Sequence, residues 1–118
     1  MPFDNLIANA GRLRILTALA VENRQEFVRL RQMTRLSDGN LSAHARRLCS
    51  AGLVEIEKRF RDGRPVTTFH LTDDGRRRLT EHVRQLLAAV EVEGIKESEP
   101  VGQKVQPARE VDEEDWVD

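Results

Sequence analysis

A chain of 118 residues, with 39% hydrophobic and 33% charged residues, suits one domain with a modest core that a partner subunit would strengthen, and it leaves little room for two domains. One cysteine, Cys49, excludes an intrachain disulfide and the disulfide-stapled secreted class. The formal net charge of −1 hides an asymmetry: residues 1–92 carry 16 basic and 11 acidic side chains, whereas residues 93–118 carry 3 and 9, so a basic body that suits a polyanion precedes an acidic tail.

The opening MPFDNLIANAGRLRIL lacks the pattern of a signal peptide. No stretch is apolar enough to span a bilayer, and the expected location is cytoplasmic. The first clear helix is expected over residues 12–21, with Leu13, Leu16 and Ala20 at helical spacing and Ile15 and Leu19 widening the face. Residues 5–10 suggest a preceding turn of helix, with Gly11 marking a bend. Residues 22–25 read as a polar connection. A short second helix is expected over 26–33, where Phe27, Leu30 and Met33 form a stripe.

After Thr34, Arg35 and Leu36, Ser37 is suited to cap a third helix reaching about residue 51. Leu41, Ala45, Leu48 and Gly52 share one side of it. Gly52 can stop it by taking a left-handed conformation. The period then changes to two over residues 53–60, which predicts a strand with Val54, Ile56 and Lys58 on one face and Glu55, Glu57 and Arg59 on the other. Asp62-Gly63 favours a hairpin reversal, and Pro65 is tolerable near its tip. Residues 66–71 return with Phe69 and Leu71 on one face. Thr72 is a second cap candidate, before a long helix over 73–92. Its stripe is Leu79, Val83, Leu86, Leu87 and Val90. Leu79 and Val83 are expected in the core, and the last three reach too far to be covered in a monomer. Residues 93–118 are read as a separate, disordered acidic tail.

The blocks SDGNLSAHARRLCSAGLVEIEKRF and RDGRPVTTFHLTDDGRRRL, with the opening RLRI, resemble winged-helix transcriptional regulators of the MarR and ArsR groups, closest to a short archaeal and bacterial subgroup. The likeness covers residues 6–92. Ala45 stands where the family usually has Leu, Cys49 where an acidic residue is common, and Phe69 where Tyr is common. The resemblance implies an α+β, mainly helical, winged helix-turn-helix with a two-stranded wing and a long C-terminal dimerisation helix. It also implies sequence-specific binding of double-stranded DNA as a homodimer that regulates transcription.

Within that frame the third helix is expected in the major groove. Asn40, Ala43, Arg46, Arg47 and Ser50 face away from its apolar side, flanked by Ser42 and His44. Arg can read guanine edges and Asn adenine. Ser37 and the helix N-terminus can meet a phosphate, while Asp38 suits a structural place in the first turn. Lys58, Arg59, Arg61 and Arg64 make a basic wing for backbone or minor groove, and at least one of Arg76, Arg77 and Arg78 should face outward. Leu86, Leu87 and Val90 are the dimerisation candidates. The bland alternative for the helix and the wing is an ordinary solvated surface, and His44 is equally a plain helix-surface residue.

The competing reading is a winged-helix protein–protein interaction module with no DNA site. Enzymatic and metal-sensor readings lack support: His44, His70, His82 and Cys49 have no zinc spacing, no Gly-rich phosphate loop is present, and neither cofactor nor metal is expected. Cys49 is read as a small core residue rather than a thiol switch. Trp116 is either a short docking element or a stray aromatic. An effector ligand is not legible.

Overall fold

The computed structural model describes residues 4–93. In chain order it contains α1 (Asn5–Ala8), α2 (Ala10–Val21), β1 (Gln25–Glu26), α3 (Phe27–Thr34), α4 (Asp38–Ser50), β2 (Val54–Arg61), β3 (Arg64–Leu71) and α5 (Asp73–Glu93). This is the expected mainly helical α+β winged helix-turn-helix. The reading of 93–118 as a disordered tail falls, from residue 94 onward, outside the described residues.

The N-terminal break is at Asn9, not Gly11. Asn9 is extended, and its Oδ1 accepts the Arg12 N–H at 3.0 Å to cap α2. Gly11 is a buried, regular helical residue. A Cβ there would lie 2.7 Å from His44 Nε2, so the glycine lets α4 approach α2 rather than bending the chain. The core forms around α2: Ile15, Leu16 and Leu19 are fully buried with Leu30 of α3, Leu41, Ala45 and Leu48 of α4, and Ile7 of α1.

The turn between α3 and α4 needs a left-handed residue, and Arg35 supplies it with φ 60°. Two neighbours secure the turn. The Arg14 guanidinium donates to the Thr34 carbonyl at 2.8 Å, satisfying an orphan acceptor at the end of α3. Thr34 itself is buried, and its hydroxyl donates to the Leu30 carbonyl at 2.8 Å. Gly52 ends α4 in the left-handed conformation, with φ 81°.

The sheet has three strands in the order β1-β3-β2, one more than expected. Residues 22–25 were expected to be a polar connection. Instead Gln25 is 2% exposed, donates its amide to the Ala18 and Glu22 carbonyls at 3.0 and 2.6 Å, and begins β1. Gln25 pairs with Phe69, and Glu26 with Thr68. Two polar residues carry no alternation, so only their partner defines them as a strand. β2 and β3 run in unbroken antiparallel register from Val54↔Leu71 to Arg61↔Arg64. Asp62 and Gly63, with φ 55° and 77°, form the two-residue reversal that matches the twist of the strands.

α5 is tied down at its root. The Thr72 hydroxyl accepts the Gly75 N–H at 2.9 Å and donates to the Gly52 carbonyl at 2.7 Å. A side chain at Gly75 would overlap the Leu53 carbonyl oxygen, so glycine is needed for this close approach. Leu79 reaches the core. Val83, expected there too, is 43% exposed, and His82 takes the inward position at 4%. The side of α5 that meets the body runs through Arg78, His82 and Gln85 toward Asp4. The apolar stripe is thereby rotated off the body: Leu86, Leu87 and Val90 are 41%, 57% and 51% exposed.

Asp4 anchors both ends of this arrangement. Its carboxylate accepts the Leu6 N–H at 3.1 Å, capping α1, and takes a two-nitrogen contact from Arg78 at 3.0 and 2.7 Å. Burial pushes the Asp4 carboxyl up, but the Arg78 guanidinium and the Ile7 and Leu6 amides outweigh it and hold it below the ordinary carboxylate value.

Candidate nucleic-acid interface

α4 is amphipathic in the simplest way. Leu41, Ala45 and Leu48 are fully buried, and Asn40, Ala43, Arg46, Arg47 and Ser50 are exposed on the opposite side. Ser37 caps the helix, its Oγ accepting the Asn40 N–H at 3.1 Å. Asp38, in the first turn, pairs with Arg31 at 3.0 Å, which ties the two helices of the motif together and partly neutralises the carboxylate near the exposed face.

Two residues of α4 face sideways. His44 is half-buried against Gly11, with Nδ1 3.4 Å from the Arg12 guanidinium. Since arginine only donates, that nitrogen is the acceptor. Arg12 also donates to the Leu6 carbonyl at 2.7 Å. Burial, together with the like charge of Arg47, pulls its guanidinium below the ordinary value. Ser42, also half-buried, faces the wing. Cys49, expected in the core, is exposed, because Leu48 beside it holds the inward position.

The wing cations divide between two faces, as the period of two over residues 53–60 implies. Strand alternation puts Lys58 with Ile56, on the side turned to α4, and Arg59 and Arg61 on the outer side. There Arg59 pairs with Glu57 at 3.0 Å, Arg24 with the same carboxylate at 3.5 Å, and Arg61 with Glu26. The hydrogen bonds and charge of Arg59 hold Glu57 below its ordinary value; Arg61 does the same for Glu26, which raises Arg61 in return. Arg64 stands opposite Arg61 at the tip. Among the described residues, no ion pair engages Arg46, Arg47, Lys58 or Arg64. Arg76 and Arg77 are exposed and Arg78 is half-buried on Asp4.

Between α4 and the inner face of the wing lies a cleft of about 270 Å³. Its floor is Phe27, Ala45, Ile56 and Phe69, with the two rings 6.1 Å apart, and its mouth carries Ser42, Arg46, Lys58 and Thr67. Thr67 is absent from the sequence-based candidates. Its signal was there in the period of two: it precedes Phe69 by two residues and pairs with Lys58. Arg14 and Gln25 were also missed: Arg14 caps α3, twenty residues on, and Gln25 folds back on the end of α2 from a stretch that reads as a polar loop.

No group of three or more His, Cys, Asp or Glu placed to hold a metal occurs among the described residues. None of the described helices is long and apolar enough to cross a membrane. An exposed Arg-bearing helix beside a basic hairpin, on a helix-turn-helix frame, defines a winged-helix DNA-binding protein as the class. A family model described as a winged helix DNA-binding domain matches residues 12–90, and the chain belongs to that family. An uncharacterized protein of Methanocaldococcus jannaschii is 33% identical over 76 residues, which cover 64% of this chain and 83% of that one. A transcriptional regulator homologue of Pyrococcus horikoshii superposes with a TM-score of 0.70 at 30% identity, over 75% of this chain and 87% of that one. The YusO protein of Bacillus subtilis, with a TM-score of 0.70 at 18% identity over 89% and 79% of the two chains, shares the fold. Sequence-specific DNA binding in transcriptional regulation is the general function of this family, which is not one of enzymes.

Proposed function

We propose that this chain is a cytoplasmic transcriptional regulator that binds a palindromic double-stranded DNA site as a homodimer. The body, residues 1–92, carries both surfaces, and residues 93–118 are a separate acidic segment. The observation that supports this reading is the exposed polar face of α4, with Arg46 and Arg47 in no ion pair among the described residues, Lys58 of the wing beside it and Arg64 at the wing tip. A helix of this shape fits the major groove with its N-terminal half forward. Asn40, Ala43, Arg46 and Arg47 then reach base edges, and Ser37 and Ser42 reach phosphates. His44, braced on Arg12 and Gly11, sets the tilt of the helix and meets the duplex only at its edge. The hairpin over residues 58–66 lies on the backbone or in the minor groove, with Lys58, Arg59, Arg61 and Arg64 as its cations. Arg59 and Arg61 would exchange carboxylate partners for phosphates on binding.

The dimer follows from α5. A helix of 21 residues is about 30 Å long. Leu86, Leu87 and Val90 stand along its outer half with nothing over them among the described residues. Pairing α5 with its twin would bury them twice over and set two copies of α4 on successive major-groove faces.

Selection of bound sequences from a random duplex pool tests the whole reading, with an enriched palindrome as the expected outcome. Enrichment of no sequence would leave the interaction-module reading in its place. The wing is tested by itself in the Arg61→Ala, Arg64→Ala variant. Each lost phosphate contact lowers the slope of log K against log salt by about 0.9. The expected drop is up to about twice that value, and an unchanged affinity and slope would remove the wing from the interface.

A further inference from the structure

The cleft between α4 and the wing has a composition that duplex DNA does not use fully. A phosphate would engage Arg46, Lys58, Ser42 and Thr67 at its mouth, but it has no use for an apolar floor holding two phenylalanine rings. At about 270 Å³ the cleft is at the small end for ligand pockets. It is of a size for one aromatic side chain presented by a peptide.

The chain itself contains such a peptide. Residues 110–118, EVDEEDWVD, hold six carboxylates and no cation, and they include Trp116, the only tryptophan. Reach is sufficient. From Glu93 to Trp116, an extended chain spans roughly 75 Å, about twice the length of α5, so the segment can double back along the helix to the DNA-binding face. We propose that residues 110–118 dock in this cleft. Trp116 lies on Phe27, Ile56 and Phe69, and the flanking carboxylates pair with Arg46 and Lys58, so that the segment occupies the cations that DNA needs. The proposal rests on the DNA-binding reading for its consequence but not for the docking itself. Indole suits this place twice over: it buries a large apolar surface, and its face attracts the Arg46 guanidinium. Tethering raises the local concentration of the segment to the millimolar range, so individually weak contacts suffice. The pairing is electrostatic at its rim and weakens with salt. Duplex DNA, presenting the same charge more densely, displaces it.

With one tryptophan and no tyrosine in the chain, the fluorescence of the full-length protein reports on Trp116 alone. At about 50 mM salt, the emission should be shifted to the blue of a synthetic 110–118 peptide and protected from acrylamide. About 1 M salt, saturating short duplex DNA, and the Arg46→Glu, Lys58→Glu variant with an unchanged circular dichroism spectrum should each return it to the peptide value. Trp116→Ala should bind a random duplex at low salt roughly tenfold more tightly. Emission equal to that of the peptide at low salt overturns the docking and leaves the DNA reading standing. Emission that bound duplex or the charge-reversed cleft does not move overturns this cleft as the site. A protein that binds no duplex overturns the DNA reading alone, and release of the emission by salt and by the charge-reversed cleft then still decides the docking.

Discussion

α4 and α5 are both amphipathic helices, and they use their two faces in opposite ways. In α4 every apolar side chain of the stripe is sealed, with Leu41, Ala45 and Leu48 at 0% exposure, so the polar face remains to act. In α5 only the first turns are sealed, and Val83, Leu86, Leu87 and Val90 are at least 41% exposed. What remains to act there is the apolar face. The same periodicity thus yields a recognition surface where the body covers the stripe and an association surface where the body ends. The difference is set by where each helix sits, and it can be broken or sharpened by substitution.

The largest effect is expected on the α5 side. Leu86→Glu with Leu87→Glu places charge on the exposed stripe without touching the core. It should convert the protein to monomers in light scattering and cost roughly a hundredfold or more in affinity for a palindromic site, the bivalent advantage being lost. Binding to a half-site should survive. A dimer that persists in this variant would show that α5 is not the association surface.

On the α4 side the polar face is tested by Arg46→Ala and Arg47→Ala. Each should cost about 1–3 kcal/mol in binding to the selected site if it pairs with a base, with an unchanged melting temperature because both side chains are exposed. A base contact relaxes specificity at one position, whereas a phosphate contact weakens all sequences alike, and comparison of two duplexes distinguishes them.

Gly75→Ala tests how the root of α5 is seated. The added methyl meets the Leu53 backbone oxygen, which cannot rotate away, so overpacking should cost about 1–3 kcal/mol in denaturant unfolding. Affinity per folded molecule should fall as well, because α5 leaves the sheet at a changed angle.

The smallest effect is at Asp4. Asp4→Asn keeps an acceptor for the cap of α1 but loses the charge that Arg78 engages. Both partners are partly exposed, so about 1 kcal/mol or less is expected. The sign in pH follows from the lowered folded value. The carboxylate's contribution is complete above its ordinary value of 3.8 and is lost as the pH falls through the lowered one. The variant should therefore match the parent in strong acid, fall below it as the pH rises toward about 4, and keep a constant gap above that. A gap of the same size in strong acid would mean the effect is not the ion pair.

Much of this molecule was legible in its residues. The Asp62-Gly63 reversal, the caps at Ser37 and Thr72, the left-handed Gly52 and the buried faces of α4 and β3 are local matters, fixed by backbone conformation and a period of two or 3.6. Three points were not. Val83 fits the stripe of α5 as well as Leu79 does, yet only the contact of Arg78 and His82 with the α1 end of the body decides which turns are covered. Gln25 reads as a loop residue until β3 lies beside it. Cys49 is a small, commonly buried type, but it falls one position beyond Leu48 and so outside.

The sequence by itself determined the order of elements, the turn chemistry, the division of charge between a basic body and an acidic end, and which side chains could serve DNA. Those properties depend on neighbours a few residues apart. The tertiary structure decided that Arg61 of the wing meets Glu26 of β1, that Ser42, Arg46, Lys58 and Thr67 ring one cleft over Phe27 and Phe69, and that Gly11 admits His44. Each of these joins residues from different elements, and only the packing of those elements around a shared core fixes the distance between them.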